Sequence, residues 1–158
     1  GIQRRHKSED FPLQDFQDVI NINLTAVFSL CQLSGRVMLR NGGGKIINIA
    51  SMLSYFGGYT VPAYSASKGG VAQLTKALAN EWAAYGINVN AIAPGPFLTE
   101  MLADLAAQSA GFLEYSEGAT MLKRAAQPEE IIGPALFFAS QASSYVTEQT
   151  LAVCGGAI

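Results

Sequence analysis

The chain has 158 residues, of which 49% are hydrophobic and 14% are charged, and its formal net charge is -2. A chain of this length and composition can bury a core, so we expect one folded domain over residues 1–158 and not a disordered segment. The small net charge and the absence of a basic run argue against nucleic-acid binding.

The cysteines and the apolar runs restrict the protein's environment. Cys31 and Cys154 are far apart and match no zinc or disulfide spacing. We therefore expect no bound metal and a reducing, cytoplasmic compartment. Residues 1–11 lack the apolar centre of a signal peptide, and no apolar run approaches the roughly twenty residues of a membrane span, so we expect no membrane association. His6, alone in this charged segment, is expected to be solvated.

The first predicted element is a long helix. Apolar residues recur every three or four positions from Pro12 to about Arg40, and the glycines at 42–44 end the pattern. Asn23 lies within the apolar stripe. An amide buried there needs hydrogen-bond partners, and a backbone group is the simplest candidate.

The middle of the chain alternates between strand and helix. Residues 45–50 predict a buried strand that ends at Ser51, residues 52–62 a loop, residues 63–85 a helix, and residues 87–93 a second buried strand closed by Pro94 and Gly95. This βαβ order predicts a parallel sheet with flanking helices.

The last third begins with a long connection. Residues 96–127 have no strong period apart from helical pieces around 100–107, and a connection of this length usually carries function, such as a lid. A helix at 128–139 and a short strand at 150–153 complete the predicted elements.

Three side chains form the candidate chemical site. Tyr64 and Lys68 are four residues apart at the start of a helix and so share one face. A nearby cation and a helix N-terminus both favour a phenolate, so we expect Lys68 to lower the pKa of Tyr64. Ser51 follows a parallel strand, at the sheet edge where ligands bind. An acid/base group beside a hydroxyl donor suits the interconversion of an alcohol and a carbonyl.

Two other interpretations are less well supported. A Tyr-x-x-x-Lys pair alone is commonly a surface pair. Ser65 and Lys68 match the Ser-x-x-Lys nucleophile pattern of penicillin-recognising hydrolases, but the accompanying Ser-Asp-Asn and Lys-Thr-Gly motifs are missing from the sequence.

The segments INLTAVF, INIAS, YSASK and VNAIAPG, in this order, resemble the short-chain dehydrogenase/reductase family. The runs KIINIASMLSYFGG and ANEWAAYGINVNAIAPG look most like its sugar-acid branch, the 2-deoxy-gluconate 3-dehydrogenase and gluconate 5-dehydrogenase group. This resemblance implies a three-layer Rossmann-like α/β fold. It also implies an oxidoreductase that uses NAD or NADP on the CH–OH group of a small alcohol or ketone, with a sugar acid as the expected substrate.

The resemblance also implies a role for each site residue. Tyr64 would be the acid/base, Lys68 would bind the nicotinamide ribose, Ser51 would hold the substrate oxygen, and Asn23 would anchor a water that leads to Lys68. The nicotinamide would be bordered by Pro94, Gly95, Phe97 and Thr99. The segment 96–127 would be the substrate lid. Helices 12–40 and 63–85 would pair subunits into a tetramer.

The sequence departs from the family pattern in several places. The Thr-Gly-x-x-x-Gly-x-Gly turn that binds the pyrophosphate is missing, which implies that the chain is truncated at its N-terminus and starts after the family's fourth strand. One sheet edge would then be open. Ala126 and Glu148 stand where glycine is usual, and Cys154 where an acid is usual. A catalytically inactive fragment, or an assembly-only module that cannot bind the dinucleotide, is therefore the alternative.

Overall fold

Three parallel strands form the centre of the computed structural model, which describes residues 1–108 and 111–158. They are β1 (Gly44–Ile49), β2 (Ile87–Pro94) and β3 (Thr150–Val153), in the order β1-β2-β3. The register pairs Ile49 with Ile92 and Pro94 with Val153. The carboxyl ends of all three strands therefore meet at one edge, which confirms the predicted parallel sheet.

Six α-helices lie around this sheet in the described residues. They are α1 (Leu13–Ile20), α2 (Ala26–Asn41), α3 (Pro62–Trp82), α4 (Glu100–Gln108), α5 (Phe112–Gly118) and α6 (Ile132–Ala139). Short 3₁₀ turns lie at Ser8–Asp10, Met52–Ser54, Ala83–Tyr85, Pro128–Ile131 and Gln141–Ser143. The sequence pattern around 100–107 corresponds to α4, whereas α5 was not anticipated.

The alternation of side chains along β1 places helices on both faces of the sheet. Ile46 packs with Leu78 of α3 and Cys31 of α2 in one apolar cluster. Lys45 points to the other face, where its Nζ donates to the carbonyl oxygen of Ser143, just after α6, at 3.1 Å. The sheet thus lies between α2 and α3 on one side and α6 on the other, which is the expected three-layer arrangement.

Helices α1 and α2 form one continuous rod interrupted by a π turn at Asn21–Thr25. Contrary to the sequence-based expectation, the rod Leu13–Asn41 is long and apolar enough to cross a membrane, with a mean hydropathy of 1.3 over 18 residues. A single helix of this kind is weak evidence for a membrane span. Only 17% of that window is buried, so most of its apolar surface faces outward.

Close packing still fixes this rod to the core. A Cβ on Gly35 would lie 2.6 Å from the indole ring of Trp82 in α3, so the two helices touch where the first has no side chain. His6, nearer the N-terminus, has protein partners, so the expectation that it is only solvated is wrong. Its Nε2 lies 2.7 Å from Oδ2 of Asp15, and its ring meets the edge of Phe11 at 5.1 Å.

Strand β1 is an edge strand within the described residues. It pairs with β2 on one side, and Ile49 at its end is 51% exposed. The predicted open sheet edge is therefore present. An unpaired edge of this kind offers backbone groups to a further strand.

Candidate active site

A cleft of about 330 Å³ opens at the carboxyl edge of the sheet. Parallel α/β sheets bind ligands at this edge. Of the eight residues singled out from the sequence, seven line the cleft: Ser51, Tyr64, Lys68, Pro94, Gly95, Phe97 and Thr99. The eighth, Asn23, lies next to it.

Ser51 enters the cleft because β1 ends two residues before it, at Ile49. The Ala50 amide still bonds to the carbonyl oxygen of Ile92 at 2.8 Å, and the chain then turns through the 3₁₀ segment Met52–Ser54. The Ser51 Oγ accepts a hydrogen bond from the Leu53 amide at 3.1 Å and so caps that turn. This cap uses the Ser51 hydroxyl only as an acceptor, so the hydroxyl can still donate a hydrogen bond.

Tyr64 and Lys68 reach the cleft from the first two turns of α3. Pro62 is the first residue of this helix, where its missing N–H costs nothing. The Nζ of Lys68 lies 5.8 Å from the centre of the Tyr64 ring and donates to the carbonyl oxygen of Ile49 at 2.7 Å. The two side chains therefore share one face of α3, as their spacing predicts.

The electrostatics of the pair differ from the expectation. Burial raises the pKa of Tyr64 above its ordinary value, and the smaller effect of the Ser51 hydroxyl lowers it. Burial also lowers the pKa of Lys68. The prediction of a lowered Tyr64 pKa is thus wrong for this structure. The physical reason is that both groups lose hydration, while the Lys68 Nζ donates to the carbonyl oxygen of Ile49.

Asn23 is buried, with 2% of its surface exposed, and its side chain is fully engaged with protein groups. The Oδ1 accepts from the Ile2 amide at 2.8 Å, and the Nδ2 donates to the Ile2 carbonyl at 2.8 Å and to the Ser67 Oγ at 3.2 Å. Both amide hydrogens are therefore used within the protein. These bonds confirm the backbone interpretation of the buried amide, and the anchoring of a water by Asn23 stays a prediction.

The Ser67 hydroxyl extends the Asn23 contact to the reactive helix. Ser67 has no exposed surface, and its Oγ donates to the carbonyl oxygen of Tyr64 at 2.8 Å. The N-terminal segment, the π turn and the first turn of α3 are thus joined by one series of hydrogen bonds. A π turn inside a helix is frequently found at functional sites.

The end of β2 forms the opposite wall. The Gly95 amide donates to the carbonyl oxygen of Val153 at 2.9 Å, and a Cβ at Gly95 would lie 2.7 Å from the Cα of Cys154. Only glycine permits this close approach of the two strand ends. Phe97 is buried and forms a bridge with Ala126, so alanine is accommodated at a position where glycine was expected.

Five further residues line the cleft without having been singled out from the sequence: Gly1, Ile49, Ala50, Pro96 and Leu102. The carbonyl oxygen of Ile49 was foreseeable as a candidate acceptor, because it belongs to the last residue of a strand that points at the site. Leu102 lies on α4 and brings the long connection over the cleft. Nothing in the sequence except the length of that connection indicated that Leu102 lines the cleft.

Comparison with known proteins settles the family. A family model described as enoyl-(acyl carrier protein) reductase, of the short-chain dehydrogenase type, matches residues 1–157. The chain belongs to the short-chain dehydrogenase/reductase family. The resemblance noted in the sequence is thereby confirmed.

Relatives within this family include sugar-acid enzymes. The chain is 51% identical over 161 residues to a 2-dehydro-3-deoxy-D-gluconate 5-dehydrogenase of Bacillus subtilis, covering 99% of this chain and 61% of that protein. It is 45% identical over 156 residues to a 5-keto-D-gluconate 5-reductase of Escherichia coli, with the same two coverages, 99% and 61%. A gluconate 5-dehydrogenase from Burkholderia cenocepacia, solved in complex with NADP and tartrate, superposes with a TM-score of 0.95 at 41% identity, over 99% of this chain and 61% of that chain.

This short-chain dehydrogenase/reductase chain therefore spans about three fifths of the length of the relatives it matches. The match runs through nearly all of the chain, so the residues that line the cleft lie within the part that it shares with these relatives.

Proposed function

We propose that the protein is an NAD(P)-dependent oxidoreductase acting on the CH–OH group of a sugar acid. The observation that carries this proposal is the convergence of Ser51, Tyr64 and Lys68 in one cleft at the carboxyl ends of parallel strands. The sugar-acid substrates are suggested by the names of the relatives.

The chain's own residues fit the nicotinamide end of such a cofactor. The cleft volume of about 330 Å³ is at the lower end of the roughly 300–1,000 Å³ typical of small-molecule sites. Phe97 and Pro94 offer an apolar wall for a planar ring, and Lys68 offers an ammonium group for a ribose hydroxyl. When bound, the cofactor would accept or supply the hydride.

The proton steps follow from the remaining groups. In the direction of oxidation, Tyr64 as a phenolate would take the proton of the substrate hydroxyl, and the carbon that bears this hydroxyl would lose a hydride to the bound cofactor. A ketone and a neutral phenol result. In the direction of reduction, the neutral phenol returns that proton to the carbonyl oxygen. The Ser51 hydroxyl donates to the substrate oxygen and holds it near Tyr64.

The raised pKa of Tyr64 gives these two directions different pH dependences. The group is a neutral phenol at neutral pH and is ready to act as an acid, so reduction is supported there. Oxidation needs the phenolate, and its rate should rise as the pH approaches the raised pKa. The measurement is the pH dependence of kcat/KM in each direction.

Asn23 has a positioning role in this proposal. Its side chain holds Ile2 and Ser67, and Ser67 holds the backbone of Tyr64. This arrangement fixes the first turn of α3 against the N-terminal segment. We assign it the task of keeping the phenol at the cleft.

The experiment begins with a titration of the 158-residue chain with NADH and NADPH, read as cofactor fluorescence. Turnover is then followed as the appearance or loss of reduced cofactor with gluconate-type acids and their keto forms. Tyr64→Phe should lower turnover by roughly 10²- to 10⁴-fold. Tyr85→Phe is the matched control, because this tyrosine is 62% exposed beyond the far end of α3. Normal turnover in Tyr64→Phe would disprove the assigned chemistry.

A second candidate function is favoured by one observation. The 158-residue sequence contains no Thr-Gly-x-x-x-Gly-x-Gly turn, which elsewhere cradles the pyrophosphate at a helix N-terminus. In this reading the chain is a catalytically inactive fragment or assembly-only module. Saturable binding at micromolar cofactor would contradict it, whereas no binding at millimolar cofactor would contradict activity of this chain alone.

Self-association accompanies either function in our proposal. Leu30, Leu33 and Val37 lie on one face of α2 and are 65%, 57% and 48% exposed. Apolar side chains at this spacing form a stripe that a second copy of the rod would cover. We propose a homo-oligomer, a tetramer by analogy with the family. Light scattering should find more than one copy per particle, and Leu33→Glu should reduce that number.

A further inference from the structure

Ser54 bridges two residues of the candidate site through its hydroxyl group. Its Oγ donates to the carbonyl oxygen of Lys68 at 2.7 Å and accepts from the amide of Ser51 at 3.3 Å. One partner belongs to α3 and the other to the exit of β1. Ser54 itself is half-buried and does not line the cleft.

We propose that Ser54 is a positioning residue: its hydroxyl ties the backbone of Ser51 to the backbone of Lys68 and so holds the two side chains on Tyr64. The inference rests on the proposed function only in taking these three residues as the reacting set.

The geometry explains why such a tie matters. Ser51 follows strand β1, whereas Tyr64 and Lys68 lie on helix α3. The distance between the Ser51 hydroxyl and the Tyr64 phenol therefore depends on how β1 and α3 are held together. A displacement of about 1 Å between reacting groups can cost roughly 10²-fold in rate. The Ser54 hydroxyl provides a direct bond between the two elements beside the reacting groups.

A simple capping role accounts for only part of this contact. Ser54 and Ser51 form the reciprocal capping pair of the turn Met52–Ser54. A capping role needs the bond from the Ser51 amide, but it does not need the shorter bond to the Lys68 carbonyl. The Ser54 hydroxyl donates one hydrogen bond and accepts another at the same time. A threonine hydroxyl can do the same, whereas alanine has no hydroxyl.

The proposal can be tested on the chain without cofactor or turnover. Tyrosine labelled with ¹³C at Cζ reports the ionisation of each phenol by NMR, and the Tyr64 signal is assigned by its loss in Tyr64→Phe. Because the Ser51 hydroxyl lowers the pKa of Tyr64, a looser Ser51 should leave that pKa higher. Lys68 is the charged residue that lines the cleft with the phenol, so its side chain is kept in every variant.

We expect Ser54→Ala to raise the pKa of Tyr64 and Ser54→Thr to leave it near the wild-type value. Ser140→Ala is the matched control, since the Ser140 hydroxyl also donates to a backbone carbonyl, at 3.1 Å, and accepts from a backbone amide, at 3.3 Å, far from the cleft. It should not change the Tyr64 titration. An unchanged Tyr64 titration in Ser54→Ala would overturn the proposal.

A double-variant comparison separates positioning from a general loss of stability. If Ser54 acts through Ser51, then Ser54→Ala should add no further shift in a Ser51→Ala background. The same shift in both backgrounds would refute an action through Ser51. Should Ser54→Ala fail to fold, Ser54→Cys decides, because a thiol is a weaker donor and acceptor than a hydroxyl. It should raise the pKa of Tyr64, and an unchanged value would overturn the proposal.

Failure of this inference is distinguishable from failure of the proposed function. Cofactor titration and turnover test the function, and the tyrosine titration tests the position of Ser51. A chain that binds no cofactor can still show the Ser54 effect, and an active chain can lack it.

Discussion

The variant Asn23→Ala removes a buried amide that binds the N-terminal segment at two points. It breaks the bonds to the amide and the carbonyl of Ile2, both at 2.8 Å, and the bond to the Ser67 Oγ at 3.2 Å. Ser67 keeps its bond to the Tyr64 carbonyl, so its hydroxyl remains partnered. The loss therefore falls on the two backbone groups of Ile2.

The expected magnitude can be worked out from these contacts. Each polar group left unpaired costs about 1–3 kcal/mol, and the half-buried Ile2 groups belong at the lower end because water can reach them. Alanine recovers about 0.5 kcal/mol through its helix propensity. We therefore expect the free energy of unfolding to fall by about 1.5 kcal/mol.

The assay is urea unfolding followed by far-ultraviolet circular dichroism. The midpoint should fall while the slope with urea stays constant, because the surface exposed on unfolding hardly changes. Asn80→Ala is the matched control: it lies in α3, its exposed Nδ2 donates to the Lys76 carbonyl at 3.0 Å, and it gains the same helix propensity. We expect it to change stability by less than about 0.5 kcal/mol. Equal effects of the two substitutions would refute the reasoning.

The remaining predictions concern backbone strain, packing and pH. Glu148→Gly should raise the free energy of unfolding by about 1 kcal/mol, because Glu148 adopts a φ of +69° that favours glycine. The thermal midpoint should rise with it, and a lower midpoint would contradict this. Gly35→Ala should lower the free energy of unfolding, measured in urea, by about 1–3 kcal/mol, because its Cβ would lie 2.6 Å from the indole ring of Trp82. Gly133→Ala is the control: nothing lies within 4 Å of its Cβ, so it should not destabilise α6. The side chain of Arg124, together with the Gln127 amide, lowers the pKa of Glu130 from 4.5 to about 2. The stability from these contacts is therefore complete above pH 4.5 and is lost as the pH falls toward 2. Between pH 4.5 and pH 2, the urea midpoint should fall less in Arg124→Gln than in the wild-type chain. It should also fall less in high salt, because the ion pair is exposed and salt screens it. Identical pH profiles of the variant and the wild-type chain would count against the ion pair.

The sheet and the convergence of Ser51, Tyr64 and Lys68 were accessible from local patterns, whereas the rest of the predicted cleft lining came from the family resemblance. The run of β-branched residues before Ser51 predicts a buried strand, and the four-residue spacing of Tyr64 and Lys68 predicts one helix face. Both hold because parallel strands deliver their carboxyl ends to the same edge. Such features depend on periodicity and on chain order alone.

Other features depend on contacts that no local pattern contains. The partners of Asn23 are 21 and 44 residues away, and the acceptor of the Lys68 ammonium is a backbone carbonyl 19 residues away. The raised pKa of Tyr64 results from burial, which depends on packing by several elements at once. Helix α5 has too short a pattern to stand out from the irregular connection around it.

The close contact between Gly1 and Asn23 limits what position 1 can carry. Gly1 lines the cleft, and Asn23 holds the next residue, Ile2, at two points. A Cβ on Gly1 would lie 2.6 Å from the Asn23 Oδ1. A side chain at position 1 would therefore press on the buried amide that joins Ile2 to the reactive helix.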